Sequence, residues 1–106
     1  MDDFKTLVVF RVFKDGGDVV ALFPEVINYL DGACESYQRI GQHGAADYSH
    51  CIAISRPATP SEYAALKREL ERNPFGYNLE VRRKYIPKRV MSDTQLKRIV
   101  QDLASV

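Results

Sequence analysis

The chain has 106 residues, 45% of them hydrophobic and 27% charged, with a net charge of +1 at neutral pH. That length suits one domain, 1–106, and excludes two, while the apolar content excludes a disordered chain. The near-zero net charge excludes a global field that would draw the whole surface to nucleic acid or membrane.

Residues 7–13 read as a strand rich in Val and Phe, with Arg11 as its one charged residue. Asp15-Gly16-Gly17 then supplies the positive-φ positions of a tight reversal, and residues 19–23 return as the second strand of an antiparallel hairpin. Both strands are apolar on both faces, so the hairpin is central or its second face is covered by another element or subunit. Pro24 should end the second strand, because it cannot donate to a ladder.

Residues 25–32 read as an irregular crossing, 33–40 as a third strand, 41–50 as a loop and 51–55 as a fourth strand. Thr59-Pro60-Ser61-Glu62 is a capping box with proline at the first helical position. Tyr63, Leu66 and Leu70 then share a helical face, and Asn73-Pro74 stops the helix. Residues 77–86 alternate as a half-buried strand that Pro87 ends. Ser92 with Gln95, followed by Leu96, Ile99, Val100 and Leu103, predicts a C-terminal helix.

The order is ββββαβα. It predicts an α+β fold: a mainly antiparallel sheet of four to five strands with two helices packed on one face. The apolar second face of the hairpin then suggests a homodimer through that face.

The opening Met1-Asp2-Asp3 is acidic where a secretory leader would be basic, and the apolar runs 7–10 and 19–23 are too short to span a bilayer. Cys34 and Cys51 make no disulfide framework and read as reduced, buried thiols. The expectation is a cytoplasmic protein with no cofactor, no bound metal and no membrane partner.

Chemistry concentrates in the segment from Gly41 to Cys51, which holds both histidines. His43, Asp47, His50 and Cys51 have the residue types of a metal site or a thiol triad. Their spacing fits neither, since His50 and Cys51 are adjacent and no CxxC or HxxxH step is present. Gly41-Gln42-His43-Gly44 lacks the two flanking helices of a KH-type loop and the lysine of a phosphate-binding loop. Both glycines read as positive-φ residues of a bend.

Charge is uneven along the chain. Residues 1–60 hold five Lys/Arg and eight Asp/Glu, and residues 61–106 hold ten Lys/Arg and six Asp/Glu. The excess sits in Arg82, Arg83, Lys84, Lys88 and Arg89, with Tyr85 among them as a stacking ring. On a strand these cations would divide between the two faces, which weakens a flat basic platform.

Lys14-Asp15-Gly16, Ala21-Leu22-Phe23-Pro24 and the stretch from Ser36 to Asp47 resemble a family of small bacterial, phage or mobile-element proteins. In that family a KDG…ALFP hairpin precedes SYxHxGQHGxAD. The likeness runs from about Leu7 to about Arg83, and Arg39 stands here where the pattern has histidine. It implies one compact cytosolic domain and a mobile-element origin, and it implies no reaction.

The leading expectation is a non-catalytic binding module. Its ligand surface is the 41–50 loop, with Gln42, His43 and Asp47 as polar contacts and Tyr37 or Tyr48 as the apolar wall. The partner is a protein or small molecule. A nucleic-acid-binding accessory protein using Arg82, Arg83, Lys84, Lys88 and Arg89 ranks second. An enzyme or metal protein at His43, Asp47, His50 and Cys51 ranks third.

Overall fold

A computed structural model describes residues 5–27, 33–38, 42–72, 75–86 and 97–101. The chain forms β1 (Thr6–Phe13), β2 (Val19–Ile27), β3 (Ala33–Gln38), β4 (Gln42–Asp47), α1 (Tyr48–Ala53), β5 (Ser55–Pro57), α2 (Pro60–Glu71) and β6 (Leu79–Val81). Residues 97–101 are helical. The fold is α+β, with a mainly antiparallel sheet in the order β4-β3-β2-β1-β5. β5 and β6 share one edge of β1. β5 runs antiparallel to Arg11–Phe13 and β6 parallel to Thr6–Val8. Gly41, Asn73, Pro74, Pro87, Lys88, Arg89 and the predicted start of the C-terminal helix at Ser92 lie outside the described residues.

The hairpin forms for the local reason the sequence gives. Gly16 and Gly17 take φ of 91° and 76°, and the turn closes through Phe13 N–H donating to Asp18 O (2.9 Å) and Gly17 N–H to Phe13 O (3.1 Å). β2 does not stop at Pro24, however. It continues to Ile27, and its register with β3 shifts between Phe23 and Ile27. A break in the ladder is where a central strand can hold a proline, since no hydrogen bond is lost there.

Residues 51–53 are helix and 54 a turn, and strand begins only at Ser55. Asp47 caps α1 by accepting from His50 N–H (3.2 Å), and Tyr48, Cys51 and Ile52 face the sheet at i, i+3, i+4 spacing. The 41–50 segment is not a loop: its first half is β4, paired without a register shift to β3. Gly44 lies in that strand and is not among the positive-φ glycines. Of residues 77–86 only Leu79–Val81 is strand.

Alternation along the hairpin divides the core in two. Val8, Phe10, Val12, Ala21, Phe23 and Tyr37 pack with Leu66 and Leu70 of α2. On the other face Val9, Val20, Leu22 and Cys34 pack with Tyr48, Cys51 and Ile52 of α1 and with Ile99. The helices therefore cover both faces, not one, because α1 supplies the element missing from the predicted order. The surplus apolar face that suggested a second copy is covered within the chain. Burial of this kind contributes about 1.5–3 kcal/mol for each large aliphatic or aromatic side chain.

Arg11 lies on the second face and is fully buried. Its Nε donates to Ser55 Oγ (2.9 Å), and one terminal nitrogen donates to Ser55 O (2.8 Å) and Ile52 O (3.1 Å). The Ser55 hydroxyl in turn donates to Cys51 O. A guanidinium thus takes up carbonyls at the C-terminal end of α1, where its charge also suits the helix dipole. Replacing Arg11 by Ala leaves these buried acceptors without their donor and opens a cavity. We expect a loss of about 3 kcal/mol or more in urea unfolding; a loss under about 1 kcal/mol would contradict this role.

Candidate functional site

The five residues of the predicted recognition patch do not form one surface. Tyr37 and Tyr48 are each 1% exposed and belong to opposite faces of the sheet. The Tyr37 hydroxyl donates to the Glu69 carboxylate of α2, and the Tyr48 hydroxyl donates to Tyr85 O (2.7 Å). Neither walls a surface patch; each ties a distant element to the sheet. Gln42 and His43 stand in β4 opposite Gln38 and Tyr37. Asp47 is exposed but serves α1, accepting from Ser49 Oγ (2.9 Å) as well as from His50 N–H.

His50 is exposed, whereas Cys51 is buried. Burial, and secondarily the charge of Asp47, push the Cys51 thiol above its ordinary value. This is the opposite of what a nucleophile needs. Among the described residues, no group of three His, Cys, Asp or Glu side chains comes together that could hold a metal ion, and no helix is long and apolar enough to cross a membrane.

The basic run behaves differently from the strand the sequence predicts. Val81 packs against the first core cluster and Tyr85 against the second. Residues 82–84 therefore turn around the edge of the sheet, and the cations are not dealt alternately to two faces. Tyr85 is held in place: it accepts from Tyr48 through its carbonyl, and its hydroxyl donates to the Glu25 carboxylate. It anchors the run and is not its stacking ring.

The ring comes instead from α2. Tyr63 stacks on Phe10, with ring centroids 4.4 Å apart and planes 10° from parallel. Beside it lies a cleft of about 280 Å³ lined by Phe10, Thr59, Pro60, Tyr63, Arg82 and Arg83, among others. Three elements position these residues. β1 supplies Phe10, the capping box starts α2 beneath Tyr63, and the Arg82 N–H bond to Val8 O (2.9 Å) fixes where the chain leaves β6. Arg82 pairs with Glu80 (2.7 Å), and Arg83 is exposed. Exposed pairs of this kind are worth 1 kcal/mol or less, so an anionic ligand can compete for the guanidinium.

A larger depression of about 440 Å³ lies between the hairpin turn and α2, and among the described residues its charged lining is Asp18 and Glu62. Glu62 is committed elsewhere. It takes a bidentate pair from Arg56 (2.6 and 2.8 Å) and accepts from Thr59 N–H (2.9 Å). The Arg56 hydrogen bonds, with that of Thr59, lower its carboxyl to about 2.

Comparison with protein-family models, with curated proteins and with solved structures found no match for this chain.

Two outcomes are expected. Both thiols should stay unreactive toward a colorimetric disulfide reagent at pH 8 in the native protein and react together on unfolding; rapid native-state labelling of Cys51 would contradict its burial. The Glu62 carboxyl is depressed on folding, so its stabilisation is present above about pH 4.5 and lost as pH falls toward about 2. The Glu62→Gln variant should therefore show a smaller fall in Tm between pH 5 and pH 2 than the wild type. An equal fall would show that the pair does not stabilise α2.

Proposed function

We propose that this chain is a non-catalytic binding module, a nucleic-acid-binding accessory protein that takes a single strand at the cleft between α2 and residues 81–83. The observation that carries this reading is the stacked Tyr63–Phe10 pair set beside Arg82 and Arg83. Proteins that hold single strands combine cations along the backbone with aromatic rings on which bases stack. The cleft has room for one base, and residues 61–106 carry the cationic excess of the chain. Duplex readout through the major groove would need a protruding helix or two-stranded ribbon. The start of α2 is closed by its own capping box, so the attraction comes from the arginines rather than from open helix N–H groups.

The test is fluorescence anisotropy with a short labelled oligothymidine. Binding is expected near 50 mM salt and should weaken steeply as salt rises, by roughly 0.7 log units per phosphate contact for each decade of salt. Arg83→Glu should lower affinity about tenfold or more and flatten the salt dependence. Tyr63→Leu, which keeps an apolar group against Phe10, should lower affinity by about tenfold with the salt dependence unchanged. No binding near 50 mM salt, or binding indifferent to both variants, would overturn the reading.

A further inference from the structure

β4 is the terminal strand on its side of the sheet, with β3 as its one strand neighbour among the described residues. The opposite edge is blunt, made of two three-residue strands. Sheet edges of several residues are usually guarded by Lys, Pro or a bulge. β4 has none of these: its sequence is Gln-His-Gly-Ala-Ala-Asp, and its register with β3 runs unbroken from Ala33↔Asp47 to Gln38↔Gln42.

The outward backbone groups of β4 can be assigned from hydrogen bonds elsewhere. The Gly44 carbonyl accepts from Ser36 Oγ of β3 (3.0 Å), so Gly44 turns inward. The far side of the sheet agrees. The Phe10 carbonyl accepts from Ala58 N–H (3.0 Å) on the outer side of β1. Alternation through Phe10↔Ala21, Ala21↔Tyr37 and Tyr37↔His43 then turns His43 outward. The N–H and C=O of His43 and Ala45 and the N–H of Asp47 therefore face away from β3, while the Asp47 carbonyl opens the hydrogen-bond ladder of α1.

An antiparallel partner strand must set outward residues against outward residues. For a second copy of this chain, the two-fold register centred on Ala45 does so. It places Ala45 opposite Ala45, Gly44 opposite Ala46 and His43 opposite Asp47. Each copy sets a histidine position against a carboxylate, twice by symmetry, and no like charges meet. The centre holds small residues alone, so the two backbones can reach ladder distance. The geometry points to a two-fold β4–β4 ladder that joins two copies of this chain into one continuous sheet. This dimer uses the edge of the sheet and owes nothing to the face covered by α1. It also stands independently of the nucleic-acid reading.

Sedimentation velocity on the full chain tests it, with a dimer expected in the wild type. Ala45→Pro removes an N–H that faces outward, so the β3–β4 ladder stays whole while the central bonds of the new ladder are lost. A monomer with an unchanged far-UV circular dichroism spectrum is expected. His43→Asp sets like charges across the axis and should weaken the dimer at least tenfold, whereas His43→Lys sets a cation against each carboxylate and should keep the dimer. A wild-type chain that stays monomeric at every concentration, or an Ala45→Pro variant that is folded and dimerises as tightly as wild type, overturns the proposal. Should Ala45→Pro fail to fold, the His43 variants decide: weakening in Asp alone supports the ladder, and equal dimerisation of both overturns it.

Discussion

The position of α1 depends on a charge with no access to water. Arg11 sits in a strand whose neighbours on the same face are Val9 and Phe13, and its guanidinium reaches Ile52 and Ser55 at the end of the helix. A buried cation is costly unless it is well hydrogen-bonded. The carbonyls at a helix C-terminus are equally costly if they are buried without donors. Each group removes the other's penalty, and the pairing has direction, which apolar packing lacks. It therefore sets where α1 ends and where the chain turns into β5. From β5 the chain reaches Thr59 and the start of α2, so the floor of the cleft inherits its position from Arg11.

The crossing at residues 82–84 follows from the two-sided core. One cluster takes Val81 and the other takes Tyr85, and the intervening residues must round the edge of β1. Charged residues suit that path because it is the most solvated part of the segment. The same sheet face carries a row of aromatic contacts beyond Tyr63: Phe23 stacks on Tyr77 at 5.3 Å, and Phe75 meets both Tyr77 and Tyr37. Tyr77 is raised above the usual phenol value by burial and then by the charge of Glu35.

What could be read from the sequence was what is written locally. Asp15-Gly16-Gly17 reverses the chain whatever surrounds it, and Thr59-Pro60-Ser61-Glu62 starts a helix from its own side chains. Cys-Ile-Ala-Ile-Ser is too short for its period to separate a strand from a helical turn, which is why α1 does not show in the pattern. The signal that would have decided it was Asp47, a good cap one residue before Tyr48. The run of β2 past Pro24 could not be foreseen, since a bulge is visible only once a partner strand is in place. Nor does any linear pattern bring Tyr63 to Phe10 or Ser55 to Arg11. Arg82, Arg83 and Lys84 were legible as a charge cluster, but their shared path around the sheet edge was not, because strand alternation predicts that they diverge. The histidines stand out in the sequence by residue type alone. In the fold His43 belongs to an edge strand and His50 to the exposed side of α1, so their closeness in sequence is not closeness in a site.

The cleft and the β4 edge lie at opposite ends of the strand order, and their separation has a consequence. With strands about 4.8 Å apart, two copies joined at β4 form a sheet of ten strand positions and carry their clefts roughly 40 Å from one another. Under the two proposals, two weak sites held at a fixed span by a rigid sheet would act on one flexible strand as a bivalent receptor. The second contact then forms at an effective concentration set by the length of strand between them. A strand too short to bridge the span gains nothing from dimerisation, whereas one long enough gains affinity without any new contact. Affinity would therefore rise with ligand length in a step and not smoothly. That step would disappear in a chain whose β4 edge is blocked, even though each cleft remained intact.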